Sequence, residues 1–345
     1  MNKDFFKNQK GLTLVEILIG ILITTLMMGA LYTTYNVVNN TYSQVSEKAK
    51  ISRSSRDLVS MLMRDIRMAG FKYYAGSQTI AKFAEDTKDK RGCEPNGLVL
   101  PNKSYLTFEN GYGSGEINEH ELSHNPVVIR KNRLGFQTSK DDSDKIKTDA
   151  NSTNKCCDQI EIVYEDFNQN DLDQPFKRYR ITYYADTKVG EKNIVRLAVY
   201  KTVESWKQER DAADVVDDGE GGATCIFPAT GGQWVTDCPQ CIEKDLVRDH
   251  IEDMEFIPFD RDGLIIKDSA GDYPAPEIDN LRDRLFDIAG VDVRLTFRSK
   301  DNFYKETQKR EVVGLDDRKI EAEDRLLRDS VIVTVNTRNI GGTLF

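Results

Sequence analysis

The chain has 345 residues, 39% of them hydrophobic and 30% charged, with 48 Lys+Arg against 57 Asp+Glu for a formal net charge of -9. That length allows one to three domains and a sizeable core. The acidic balance excludes the broad basic surface that phosphate neutralisation needs, so no nucleic-acid partner is expected. The average also hides an asymmetry, because residues 17–46 contain no charged side chain and residues 17–31 are almost wholly apolar.

Residues 1–10 are polar, with Lys3, Lys7 and Lys10 set against Asp4, which is the sign of a cytoplasmic flank. No small-residue cleavage site closes the apolar run, so the run is expected to remain in the mature protein. Counted from Leu12 to Tyr35 it is long enough to cross a hydrocarbon core of about 30 Å. Glu16 stands at its head between Val15 and Ile17. A carboxylate there costs several kcal/mol unless paired, which marks it as a functional position.

The string Gly11-Leu12-Thr13-Leu14-Val15-Glu16 resembles the processing site of type IV prepilins: a short basic leader ending in Gly, then an apolar residue, Thr, two apolar residues and Glu. The resemblance implies that residues 1–11 are a leader, and that a prepilin peptidase cuts after Gly11 and N-methylates Leu12, which here replaces the more usual Phe. It also implies that Glu16 of an incoming subunit pairs with the new amine of its neighbour. Low dielectric favours such a pair over two isolated charges, which makes it a register device.

The first proline is Pro95, and Gly20 and Gly29 are the only glycines between Leu12 and Ala69, so nothing forces a helix to break there. Val38, Tyr42, Val45, Ala49, Ser52, Val59, Leu62, Ile66 and Ala69 follow three-and-four spacing, with charged residues such as Arg64 and Asp65 mostly off the stripe. The pattern predicts one helix over residues 12–70, transmembrane over 12–35 and amphipathic over 36–70. Its length of roughly 87 Å exceeds what a bilayer needs, so the second half must pack on a soluble domain. Gly70 suits a C-cap. The closing segment Arg64-Asp65-Ile66-Arg67-Met68-Ala69-Gly70-Phe71 is similar to the end of the long helix in the PilW minor pilin family. The related J-type pseudopilin of type II secretion usually lacks the Ala-Gly-aromatic finish.

Residues 71–345 read as a β-rich domain with long loops. Residues 158–164, 179–184 and 194–203 are rich in Val, Ile and Tyr. Val291, Val293, Leu295 and Phe297 alternate, as do Val331, Val333 and Val335, the pattern of half-buried antiparallel strands. A sheet laid on the amphipathic part of the helix buries both apolar faces, giving an α+β fold. Residues 245–254 are predicted as a short second helix. The last strand, with Thr337-Arg338-Asn339, also resembles the C-terminal strand of the PilW family. Residues 84–96, 111–119, 141–154 and 211–222 are expected to be surface loops that carry subunit contacts.

Three segments carry possible chemistry. His120-Glu121-Leu122-Ser123-His124 matches a zinc-protease pattern, but upstream glycines and Asn125-Pro126 deny it the helix that chemistry needs, so no enzyme is expected. Asp166, Asn168 and Asn170 have the alternate-residue spacing of a calcium loop. Asp171 replaces its turn glycine, however, and Lys177 its bidentate Glu, which leaves a polar hairpin loop as the expectation, no firm metal and no cofactor. Cys93, Cys156, Cys157, Cys225, Cys238 and Cys241 are even in number behind a membrane-directing start, which points to structural disulfides. The pairings considered are Cys225 with Cys238 or Cys241, and Cys93 with Cys156 or Cys157.

The resemblance implies a non-catalytic PilW-like minor pilin that helps initiate a type IV pilus and supports twitching and adhesion. Its implied partners are other minor pilins, the major pilin, the inner-membrane assembly platform, the prepilin peptidase and a PilY-type adhesin. Its implied location is a single pass of the inner membrane with a periplasmic domain, then the pilus at the cell surface. The alternatives are a J-type pseudopilin and a tip adhesin module.

Overall fold

The computed structural model describes residues 13–71, 125–131, 136–137, 147–148, 156–167, 176–189, 195–209, 215–217, 223–225, 231–276, 278, 280–315 and 318–340. Helix α1 (Leu14–Met68) is followed by β1 (Val127–Arg130), β2 (Phe136–Gln137), β3 (Lys147–Thr148), β4 (Gln159–Phe167), β5 (Phe176–Val189), β6 (Val195–Glu209), β7 (Val215–Asp217) and β8 (Ala223–Cys225). Then come β9 (Gly231–Val235), β10 (Ile242–Asp249), β11 (Ile251–Phe259), β12 (Gly290–Arg298), β13 (Gln308–Val313), β14 (Lys319–Asp324) and β15 (Arg328–Asn336). The architecture is α+β, one long helix with antiparallel sheets. The chain divides into two compact units, Met1–Lys50 and Ile51–Phe345.

In the first unit α1 exposes Leu14, Ile17, Leu18, Ile21, Leu22, Leu26 and Leu31. By length and composition α1 can cross a membrane. Its threonines would be costly in lipid if their hydroxyls were unpaired. Each instead donates back into the helix: Thr25 to the Leu22 carbonyl (2.8 Å), Thr34 to Ala30 (2.9 Å) and Thr41 to Val37 (2.8 Å), with Thr24 to Gly20 and Thr33 to Gly29 alike.

In the second unit the helix presents Ile51, Leu58, Val59, Leu62, Ile66 and Ala69 to a core shared with the strands. The larger sheet runs β1-β4-β5-β6-β10, with β9 also paired to β6; the smaller runs β11-β12-β15. Ile160 lies across from Tyr183, and Tyr183 from Lys201, while Phe256 faces Val293 and Val293 faces Val333. Strands expected near residues 158–164, 179–184, 194–203, 291–297 and 331–335 are all present, and longer than the sequence suggested.

The short helix expected at residues 245–254 is not there. The segment is the end of β10, a break at His250 with φ 60°, and the start of β11. His250 passes the chain from the larger sheet to the smaller, and its N–H donates to the Asp249 carboxylate at 3.0 Å. The sequence Ile251-Glu252-Asp253-Met254-Glu255 looks solvent-facing, but all five residues are buried. Arginines from elsewhere cancel the charges: Arg294 holds Glu255 at 2.8 Å, Arg328 holds Glu252 at 3.2 Å, and Arg318 reaches Asp253, Glu255 and Asp158 at 2.9, 3.2 and 2.5 Å. Long-range ion pairs of this kind leave no local pattern, so a strand of carboxylates reads as a polar helix. Burial, with the Glu255 and Asp158 charges adding to it, pushes Asp253 up to about 6, against the opposing pull of Arg318.

Candidate functional site

The head of α1 is closed by a reciprocal pair. Thr13 Oγ1 accepts from the Glu16 N–H at 3.3 Å, while Glu16 Oε2 accepts from the Thr13 N–H at 2.9 Å and from its hydroxyl at 3.0 Å. This is a capping box, in which two orphan N–H groups of the first turn are satisfied. Glu16 thus has a structural task inside its own chain. Its Oε1 has no hydrogen bond among the described residues. Thr-x-x-Glu spacing before an apolar run is itself a legible capping signal, a role for Glu16 additional to the processing and register roles expected from its sequence. Gly11 and Leu12 lie outside the described residues.

The tail of α1 is held at three points. First, Asp65 is buried, contrary to its expected place off the apolar stripe, and its Oδ2 accepts from Lys201 Nζ and from the Tyr183 hydroxyl, both at 2.6 Å. Arg64 Nε donates to Oδ1 at 3.0 Å. Burial, then the Asp65 charge, pushes the Tyr183 phenol up, and the bond to Asp65 raises the Arg64 guanidinium. Second, Gly70 has φ +68°, as a helix C′ residue needs, and its N–H donates to the Val163 carbonyl at 2.8 Å. A Cβ there would stand 2.5 Å from Ile340 Cγ2, so glycine is required by conformation and by space. Third, Asn339 Nδ2 donates to the carbonyls of Arg67 and Ala69, each at 3.3 Å, which satisfies groups the helix leaves orphaned.

The two strings read as separate resemblances, residues 64–71 and 337–339, therefore meet in one structure. Thr337 fixes the second, its hydroxyl donating to the carbonyls of Ile288 and Ala289, each at 2.9 Å.

The cysteines pair otherwise than considered. Cys156 bonds to its neighbour Cys157, and Cys238 to Cys241 rather than either to Cys225. The Cys238–Cys241 bridge closes a local turn, with Cys241 N–H donating to the Cys238 carbonyl at 3.0 Å. Cys157 has φ 69°, and its N–H donates to Asp253 Oδ1 at 3.3 Å. Cys225 ends β8, and Cys93 lies outside the described residues. Sequence could not separate these pairings, since local and distant partners satisfy the same count.

Asp166 lies in β4 opposite Lys177 of β5 and is exposed, while Asn168 and Asn170 lie outside the described residues, as do His120 and His124. Among the expected loops, 84–96 and 111–119 are likewise outside, and only Lys147–Thr148 and Val215–Asp217 represent 141–154 and 211–222, as strands. At residues 260–263 the oxygens serve a turn: Asp260 Oδ1 accepts from Asp262 N–H at 3.0 Å and Leu264 N–H at 2.9 Å. The buried sulfurs of Cys156 and Cys157 and a carboxylate oxygen of Asp253 lie within 4.8 Å of one another. The two sulfurs are joined in a disulfide, which takes up the thiolates a metal would need.

With this geometry established, residues 6–32 match the prokaryotic N-terminal methylation motif. No curated protein and no solved structure matches the chain. The motif, with the apolar helix behind it, supports a type IV pilin-like protein with a structural role in pilus or secretion-system assembly. It fits a membrane-anchored subunit that ends in a pilus and meets a prepilin peptidase and other pilus components.

Proposed function

We propose that the chain is a minor pilin of the PilW type, cleaved after Gly11, methylated on Leu12, and held in the inner membrane by residues 12–35 until it joins the initiating tip of a type IV pilus. The observation that carries the reading is the helix head: a methylation motif over residues 6–32 with Glu16 turned back toward the N-terminus by Thr13. Removal of residues 1–11 leaves the Thr13 amide in place, so the capping box persists beside the new Leu12 amine. Oε2 serves the box, and Oε1 offers a lone pair to the amine of a neighbouring subunit, a charge-assisted bond in a dry setting. The Asn339 and Gly70 closure gives a physical purpose to the helix-end and C-terminal strings that resemble the PilW family.

Intact mass and N-terminal sequencing of membrane-extracted protein test the proposal. A chain beginning at methyl-Leu12 is expected, and one beginning at Met1 would overturn it. Loss of surface pili and twitching on deletion, with exoprotein secretion intact, separates the pilus from a secretion pseudopilus. Glu16→Ala should remain processed and inserted yet enter pili poorly, and normal incorporation would refute the register role.

A further inference from the structure

A groove of about 790 Å³ runs beside the last turns of α1, and its rim carries Arg56, Arg64, Arg67 and Arg338. Arg56, Ser60, Arg64 and Arg67 recur at helical spacing on one face, and Arg338 comes from the segment after β15. Among the described residues no carboxylate lines it. Arg64 is committed to Asp65, whereas Arg56, Arg67 and Arg338 are exposed and have no ion-pair partner among the described residues. The floor is apolar, formed by Val59, Met63, Met68 and Phe71. In a chain of net charge -9, four arginines around an apolar floor are a local reversal of sign.

We infer that this groove is a docking site for an acidic segment of a neighbouring protein subunit, in which carboxylates bracket an apolar side chain. Guanidinium forks match carboxylates in bidentate geometry, and among the described residues no acid of this chain competes for the exposed arginines. A free anion would satisfy the rim and leave the floor wet. A bilayer is disfavoured because Glu47, Lys48, Lys50 and Arg53 precede the groove on the same helix, in a stretch that hydrocarbon would not admit. An adaptable Met-lined floor suits an inserted side chain. The pilin reading contributes only the presence of neighbouring subunits; the groove lies at the opposite end of α1 from the methylation motif.

The test places photoreactive p-benzoylphenylalanine at the exposed Ser60 of the full-length chain in its native cell and maps the crosslinked peptide by mass spectrometry. A peptide from another subunit with Asp or Glu on both sides of an apolar residue is expected. Its yield should fall at least tenfold in the Arg67→Glu/Arg338→Glu variant and return when the mapped acids are exchanged for lysine. The milder Arg67→Gln/Arg338→Gln pair carries the test if charge reversal impairs folding, with a smaller loss expected. A lipid adduct, a crosslink within the same chain, a peptide lacking acids, a yield indifferent to the substitutions or no adduct at all would each overturn the inference. The N-terminal peptide mass from the same sample reads processing at Leu12 separately, so failure of the groove and failure of the pilin assignment are distinguishable.

Discussion

Asp65 offers the sharpest test of how the end of α1 is fastened. Its carboxylate is buried and faces Lys201 Nζ and the Tyr183 hydroxyl at 2.6 Å each. Lys201 is itself buried and has its ammonium 5.2 Å from the centre of the Tyr183 ring. Asp65→Leu therefore strands a buried cation and a buried hydroxyl together. Breaking one side of a buried pair costs about 3–5 kcal/mol, most of it the uncompensated charge. Asp65→Leu with Lys201→Met removes both charges and should cost only about 1–3 kcal/mol, the cost of leaving the Tyr183 hydroxyl without an acceptor. Adding Tyr183→Phe should bring the triple variant to within about 1 kcal/mol of the parent, since apolar replacement of a whole buried ionic group is often neutral. Urea unfolding of the detergent-solubilised full chain, followed through the buried Trp206, measures each value. A double variant as unstable as the sum of its singles would refute the argument, because it would mean that Asp65 and Lys201 act independently.

Gly70→Ala should destabilise by about 1–2 kcal/mol from the left-handed backbone alone, and by more from the 2.5 Å approach to Ile340; a midpoint equal to the parent's would show that the chain end is not seated there. Asp253 should give stability a pH dependence whose sign follows from its raised value. The folded state holds this proton more tightly than the unfolded chain, so the contribution is complete below about pH 4 and is lost as pH rises through about 6, amounting to about 3 kcal/mol. Asp253→Asn should gain on the parent steadily between those values, and parallel stability curves would contradict it. Leu62→Ala, at a fully buried helix position in the shared core, should cost about 2–5 kcal/mol by the same unfolding measurement.

What sequence made legible here follows the range of the forces involved. Leu62, Ile66 and Ala69 announce a helix face because their neighbours lie three and four residues away, and Val291 to Phe297 announce a strand because alternate residues share a face. Gly70 is legible for the same reason, since a cap is a local device, and the Thr13–Glu16 spacing carries a local capping signal too, although the expectation for Glu16 rests on its charge and the processing string. Local spacing sets Asp65 off the apolar stripe, and nothing nearby signals its burial because its partners are 118 and 136 residues away. The carboxylates of β11 were misread similarly, with arginines arriving from β12, β15 and the β13–β14 turn. The sequence shows charge but not where its partner will be, and a buried ion pair is indistinguishable from two surface charges until the fold joins them.

The two ends of α1 solve the problem of orphan backbone groups by opposite means. At the head, Thr13 and Glu16 close the first turn from within one four-residue segment, so the cap needs no folded domain and can survive in a membrane. At the tail the carbonyls of Arg67 and Ala69 are taken by Asn339, which arrives only when β15 has paired with β12 and Thr337 is fixed on Ala289. The last turn of the helix is thus completed by nearly the last described residues of the chain. Because Asn339 and Arg338 are adjacent, the same event that caps the helix also brings the fourth arginine to the groove. A basic rim assembled by closure of the C-terminal strand would present its full charge only on a folded subunit, which ties recognition of an acidic neighbour to completion of the fold.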